Sequence, residues 1–309
     1  MRKFPEVTPP SRAEQDRSLR MQTIGFIGVG KIGLPICEHL IKKGHTVIGY
    51  RRSSLADFEK LGGIKATSPA DVGAQADIVF TCLPNDAALE EVINGPEGLR
   101  KTARPGQIVV EFGSHPVPVK EQYVKPLADK GAVFLDGEVS GTPGMVQARK
   151  AVIYLGGPAA AVKTIEPVIA DFADLCMHLG DFGAATKVKL VNNFLVALHI
   201  AGTAQAMALG LKTGVDKDLL IKAVANGSGG SSAFSIRAPW MAERRFTPQM
   251  GNAAGLAHYL DTAKDMAIEA GVATDLIDCL IDLYARAVPN IGDRDVAAIL
   301  EHFETTRKN

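Results

Sequence analysis

The run Gly28-Val29-Gly30-Lys31-Ile32-Gly33 limits what this chain can fold into more than any other feature. A GxGxxG run is weak by itself, because glycines recur by chance in a sequence that holds 31 of them. Its setting gives it meaning. Thr23-Ile24-Gly25-Phe26-Ile27 reads as a buried strand, and the apolar periodicity over Ile32–Lys43 reads as a helix closed by Gly44. A glycine-rich turn that leaves a strand and opens a helix is the arrangement that takes a dinucleotide pyrophosphate. The first glycine permits the tight turn, the second lets backbone approach the phosphates, and the third lets helix and strand pack closely. The free N–H groups and positive dipole of the helix start then face the anion. Gly28, Val29, Gly30, Lys31, Ile32 and Gly33 are therefore candidate cofactor-binding residues.

The end of the second strand, Thr46–Tyr50, discriminates between cofactors. NAD(H) enzymes usually place an Asp or Glu there to hold the ribose diol. Here Arg51-Arg52-Ser53 follows the strand, and the first acid is Asp57, past the turn. Two guanidiniums and a hydroxyl suit a 2′-phosphate through charge-assisted hydrogen bonds. Arg51, Arg52 and Ser53 are expected to bind it, so the expected cofactor is NADP(H) in preference to NAD(H).

Strand and helix patterns alternate through the first half, with further strands expected at Asp77–Leu83, Gln107–Glu111, Val133–Asp136 and Val152–Leu155. Such alternation builds βαβ units and a parallel sheet. After about Gly183 only helical patterns remain, at 184–211, 216–225, 253–270, 273–288 and 293–304. The expected fold is an α/β Rossmann domain, doubly wound and mostly parallel, followed by an all-α domain. The boundaries are a polar extension over 1–20, a nucleotide domain over 21–183 and a helical domain over 184–309.

Composition removes several alternatives. The 309 residues carry a formal net charge of zero, so no basic footprint invites nucleic acid or an anionic membrane. The apolar stretch Leu195–Leu211 is interrupted by His199, Thr203 and Gln205, and reads as a helix buried in a helical bundle rather than a membrane span. Residues 1–20 lack the apolar run of a signal peptide. Cys37, Cys82, Cys176 and Cys279 form no CxxC pair, which suits reduced thiols and a cytoplasmic protein. The seven histidines show no metal-binding spacing, and no metal is expected.

With these motifs in place, the chain resembles the β-hydroxyacid dehydrogenases from about Thr23 to Phe303. The group includes 3-hydroxyisobutyrate dehydrogenase, tartronate semialdehyde reductase, glyoxylate/succinic semialdehyde reductases and, more distantly, 6-phosphogluconate dehydrogenase. The resemblance rests on five motifs in order. They are Gly28–Pro35; Cys82-Leu83-Pro84-Asn85; Glu111-Phe112-Gly113-Ser114; Asp136-Gly137-Glu138-Val139-Ser140-Gly141-Thr142; and Gly180-x-x-Gly183 followed by Lys189-x-x-Asn192-Asn193. It implies that Leu83 and Pro84 line the nucleotide path and that Ser114 lies near the nicotinamide. It implies that Ser140, Gly141 and Thr142 hold the carboxylate of a small substrate. It also implies a homodimer or homotetramer assembled through the helical domain.

The fifth motif offers two lysines. Two residues along a helix turn by about 200°, so Lys187 and Lys189 cannot share a face. Asn193 stands four residues beyond Lys189 and therefore lies beside it, whereas Lys187 has no such partner. The family spacing, with its lysine four before the asparagine and nine after the first glycine, also selects Lys189. Lys189 is the expected general acid/base of hydride transfer, with Asn193 orienting it or the reacting oxygen.

The chain also departs from the family. Gly137-Glu138 replaces Ala-Pro, Thr142 replaces a glycine, Glu111 replaces an aspartate and Gly113 a serine. Glu138 brings a negative charge toward a site that must hold an acid. Thirteen residues before Gly271-Val272, where the family has Lys-Asp, this chain has His258-Tyr259. His258 is thus either a substrate contact or an ordinary helix histidine. Imine reduction on the same fold, and NADP binding without catalysis, are the rival readings; Lys189 argues against both.

Overall fold

The computed structural model describes residues 21–247 and 251–305, and the chain divides into two compact units after Gly183. The extension over 1–20 lies outside the described residues.

The first unit holds an eight-stranded sheet. In chain order its elements are β1 (Thr23–Ile27), α1 (Gly33–Lys42), β2 (Thr46–Tyr50), α2 (Ala56–Lys60), β3 (Ile64–Lys65), α3 (Pro69–Gln75), β4 (Ile78–Thr81) and α4 (Asp86–Asn94). There follow β5 (Ile108–Glu111), α5 (Val117–Glu121), α6 (Val124–Ala128), β6 (Val133–Ser140), α7 (Pro143–Gln147), β7 (Val152–Gly156), α8 (Ala159–Ile169) and β8 (Leu175–His178). The strand order is β3-β2-β1-β4-β5-β6-β7-β8, with only the β6–β7 pairing antiparallel.

The central strands are apolar on both faces, as a sheet covered on both sides requires. Successive residues point to opposite faces and feed two separate cores. Phe26, Phe80 and Val110 enter one core; Ile27, Val79 and Val109 enter the other. In the first core Phe80 and Phe112 stack at 5.3 Å, and Phe172 meets Phe80 edge-on at 5.8 Å. Truncating a fully buried ring such as Phe80 to alanine costs about 3–5 kcal/mol. Gly44 ends α1 at a φ of +97°, and the next N–H, that of His45, reaches back to the Leu40 carbonyl. The edge strands β3 and β8 were not expected. Both are largely exposed, and so lack the apolar alternation that marks a strand.

The second unit is helical: α9 (Ala184–Lys212), α10 (Lys217–Asn226), α11 (Ser232–Ala242), α12 (Ala253–Glu269), α13 (Asp275–Ile291) and α14 (Leu300–Glu304), with a 3₁₀ turn over Val296–Ile299. The expected single helix over 293–304 is thus a 3₁₀ turn followed by a short helix. Helix α11 follows Gly227-Ser228-Gly229-Gly230 in a stretch where no helix was expected, and it carries Pro239 inside it. Pro289 likewise sits inside the last turn of α13 rather than ending it earlier. Arg237 of α11 donates to Asp295 at 2.7 Å, and Asp295 also accepts from the Gly251 and Ala297 N–H groups. That buried pair fastens α11 to the 3₁₀ turn with its acceptors satisfied.

Helix α9 packs against α11 and α12 through Ala197, Ile200, Ala201, Ala204 and Met207. The sequence suggested burial all round, but Val188, Val191, Leu195 and Leu209 are exposed. By length and composition alone α9 could cross a membrane. Its buried Lys189, Asn193 and Thr203 and its packed small-residue face fit the core helix of a bundle.

Candidate active site

The turn after β1 is shaped by glycine. Gly28 has a φ of +90°, and a Cβ there would collide with the Cys82 carbonyl. A Cβ on Gly33 would lie 2.5 Å from the Phe26 ring and 2.7 Å from the Gly28 carbonyl. At the exposed Gly30 a Cβ would meet only the Gly28 carbonyl, at 3.9 Å. The outer glycines therefore serve packing, and the middle one leaves backbone open, as a pyrophosphate requires. Val29 is fully buried, Ile32 packs on the first core, and Lys31 is exposed beside the open backbone.

The two arginines expected to meet a 2′-phosphate differ in their surroundings. Arg51 is already committed: Nη1 donates to the Val29 carbonyl at 2.5 Å, Nε and Nη2 donate to the Ser54 carbonyl, and Nη2 pairs with Asp57 at 2.8 Å. It ties the phosphate turn to the loop after β2. Arg52 and Ser53 are exposed next to it.

Leu83 packs on the second core, Pro84 is exposed, and the Asn85 side chain caps α4 through the Ala88 N–H at 2.9 Å. Ser114 opens into a buried charge network. Its hydroxyl donates to Glu138 Oε2 at 2.6 Å. Glu138 Oε1 lies 3.3 Å from Lys120 Nζ, which donates to Asp136 at 2.9 Å and to the Gly137 carbonyl at 3.2 Å. All three charged side chains are essentially inaccessible. Burial alone would lower the Lys120 pKa, but Glu138, Asp136 and Glu111 outweigh it and hold the value above the usual ammonium range. Glu138 is thus not the bare negative charge that its sequence position suggested, because it shares a buried cation with Asp136.

Glu111 accepts from the Thr81 hydroxyl and the Gly113 N–H. His115 Nε2 stands 3.6 Å from Glu111, an ion-pair distance without a hydrogen bond, and Nδ1 meets Asp86 at 2.7 Å. Burial opposes charge on His115, yet the two carboxylates raise its pKa on balance. Burial, with Glu111 and Glu138 nearby, pushes the Cys82 thiol up to about 12, so it stays an inert thiol.

Ser140 ends β6 opposite Val152. Gly141 is packed tightly, since a Cβ there would lie 2.9 Å from the Ala151 Cβ. The Thr142 hydroxyl accepts from the Met145 N–H at 3.3 Å as the cap of α7, so this side chain is already engaged locally.

In the helical unit the two lysines separate as helix geometry requires. Lys189 and Asn193 are buried on α9, one turn apart, whereas Lys187 is exposed. The Lys189 Nζ lies 6.0 Å from the centroid of the Tyr259 ring. His258, the residue singled out from sequence, is exposed and lines a shallow groove with Asp261, Ile281, Tyr284 and Val288. Among the described residues no group of three or more His, Cys, Asp and Glu side chains could hold a metal ion.

Comparison with known proteins decides the family. Residues 23–180 match the NAD binding domain of 6-phosphogluconate dehydrogenase, and residues 183–303 match the NAD-binding domain of NADP-dependent 3-hydroxyisobutyrate dehydrogenase. This chain belongs to the β-hydroxyacid dehydrogenase family. The dehydrogenase is 34% identical to L-threonate dehydrogenase of Cupriavidus necator over 230 residues, 74% of this chain and 77% of that protein. It is 30% identical to the mitochondrial 3-hydroxyisobutyrate dehydrogenase of Rattus norvegicus, over 84% of this chain and 78% of the relative. Its fold matches 3-hydroxyisobutyrate dehydrogenase of Mycobacterium tuberculosis, solved with L-serine, at a TM-score of 0.84 and 23% identity. That match covers 92% of this chain and all of the other. An NAD(P)-dependent oxidoreductase of hydroxyacids is what these relatives support.

Two features of this dehydrogenase escaped the sequence reading. The sequence pattern marks Tyr259 only as the neighbour of His258, although it is the ring beside Lys189. No local pattern marks Lys120; the signal for it is Glu138, an acid on a buried strand that requires a buried cation.

Proposed function

We propose that this dehydrogenase prefers NADP(H) and interconverts a small β-hydroxyacid of the 3-hydroxyisobutyrate kind with its semialdehyde or oxo acid. The observation that carries the reading is Lys189, a lysine buried beside Asn193 on a largely apolar helix while Lys187 stays exposed. Burying an ammonium is costly, which favours a chemical role over a solvated one. The names of two relatives, L-threonate dehydrogenase and 2-(hydroxymethyl)glutarate dehydrogenase, support the substrate class.

The nicotinamide, when bound, takes or gives the hydride. The protein manages the proton and the geometry. Lys189 Nζ gives a proton to the carbonyl oxygen in reduction and removes one from the hydroxyl in oxidation. Asn193 orients the lysine or the reacting oxygen. The Ser140 hydroxyl and the Gly141 and Thr142 N–H groups hold the carboxylate without adding a full charge. The backbone around Gly30 takes the pyrophosphate, while Leu83 and Pro84 line the nucleotide. Arg52 and Ser53 take the 2′-phosphate; Arg51 braces the turn that presents them.

The exposed stripe Val188, Val191, Leu195 and Leu209 supports pairing of the helical unit with a second copy, as a homodimer or homotetramer. Light scattering of the purified protein measures this directly. A panel of hydroxyacids and semialdehydes, assayed with NADP(H) and NAD(H), tests the activity. No change in nicotinamide absorbance with any of them would sink the reading, and preference for NAD(H) would sink the role of Arg52.

A further inference from the structure

The hydrogen on the Ser114 hydroxyl has a fixed destination, Glu138 Oε2 at 2.6 Å. A serine hydroxyl has one hydrogen to give and two lone pairs to accept with. As a carboxylate, Glu138 can only accept this bond. Its other oxygen lies 3.3 Å from Lys120 Nζ, and an ammonium only donates. Lys120 is itself locked, fully buried and tied to Asp136 and the Gly137 carbonyl. A carboxylate has no hydrogen to return. Ser114 must therefore donate inward, and toward any third group it can only accept.

We propose that Lys120 and Glu138 are a positioning pair that fixes Ser114 as a hydrogen-bond acceptor, so that the group it meets on the nicotinamide nucleotide is a donor: the carboxamide N–H or a ribose hydroxyl. The inference rests on the reading that Ser114 lies at the nicotinamide end of the cofactor. It gives Glu138 and its buried cation a role in cofactor recognition.

Glu138→Gln tests the polarity with almost no change in size. Lys120 still requires an oxygen, so the amide nitrogen turns toward Ser114 and donates to it. The serine hydrogen is then forced outward, against the cofactor donor. NADPH affinity, followed by fluorescence titration, should weaken roughly tenfold in E138Q, the scale of one lost or reversed hydrogen bond. S114A should weaken binding to a similar degree, and E138Q/S114A should be no worse than the weaker-binding single variant. In K120M/E138Q nothing demands the amide oxygen, the amide turns back, and affinity should recover to within about threefold of wild type. If that variant does not fold, the E138Q/S114A cycle decides alone, with melting curves confirming that its members fold.

E138Q binding NADPH as wild type does, additive losses in the double variant, or a folded K120M/E138Q that stays weak would each overturn the proposal. Wild-type affinity in S114A would overturn it too, while leaving the dehydrogenase reading standing. Failure of the wild-type protein to bind either NADPH or NADH would instead defeat that reading itself.

Discussion

The Nζ of Lys189 lies 6.0 Å from the centroid of the Tyr259 ring, with the lysine buried on α9 and the tyrosine on α12. The ring's negative face meets the ammonium from a neighbouring helix. Lys189→Ala should lower kcat by roughly 10²- to 10⁴-fold, the usual contribution of a positioned acid or base. NADPH affinity should stay within about twofold of wild type, and Lys187→Ala should leave kcat essentially intact. Steady-state kinetics beside a cofactor titration measures all three.

Replacing Tyr259 by leucine keeps most of the apolar bulk and removes the π face. A cation–π contact contributes about 0.5–2 kcal/mol, which converts to a fall in kcat of roughly two- to thirtyfold. Tyr259→Phe keeps the face and should stay close to wild type. Equal losses in both variants would show that the hydroxyl, not the ring, matters.

The arginines after β2 should behave differently. Arg52→Ala should weaken NADPH binding by roughly 10- to 100-fold and leave NADH nearly unchanged, as removal of a charge-assisted contact to one phosphate does. Arg51→Ala loosens the turn that carries Gly28 and Gly30, so it should weaken both cofactors by similar factors and lower the melting temperature. Titration of both variants with both cofactors separates the brace from the clamp.

Lys120→Met leaves Asp136 and Glu138 without their buried cation. Breaking a buried pair from one side costs about 3–5 kcal/mol. For a domain of this size the melting temperature should drop by roughly 6–20 °C. Calorimetry on the single variant reads the shift.

His115 sets the direction of one pH dependence. Its folded pKa is raised above the unfolded value, because Glu111 and Asp86 outweigh the opposing effect of burial. Its contribution to stability is fully present below about pH 6.5, the unfolded value, and is lost as pH rises through the raised folded value. The melting temperature should therefore decline from about pH 6.5 upward, and His115→Gln should flatten that decline. Equal slopes in the two proteins would remove His115 as the cause.

Features set by neighbours along the chain were readable in the sequence. The strand, glycine turn and helix over 23–43 follow from local periodicity, and the four-residue spacing of Lys189 and Asn193 follows from helix geometry. Features set by distant partners were hidden. Arg51 is satisfied by the carbonyls of Val29 and Ser54, which no side-chain pattern reveals. Lys120 sits on a five-residue helix, 16 and 18 positions from the two acids it meets. Strand β3 is two exposed residues and exists only because β2 offers it an edge.

The Lys120–Glu138 pair also bears on how such a protein can change over generations. Losing the acid leaves an ammonium with one partner fewer in the interior, and losing the lysine strands two carboxylates there. Each one-step path thus passes through a weakened intermediate, and the two positions are free to drift only together. In related chains, an acid at the position of Glu138 should travel with a cation at the position of Lys120. That couplet offers a marker for sorting a lineage from sequence before any of its members is assayed.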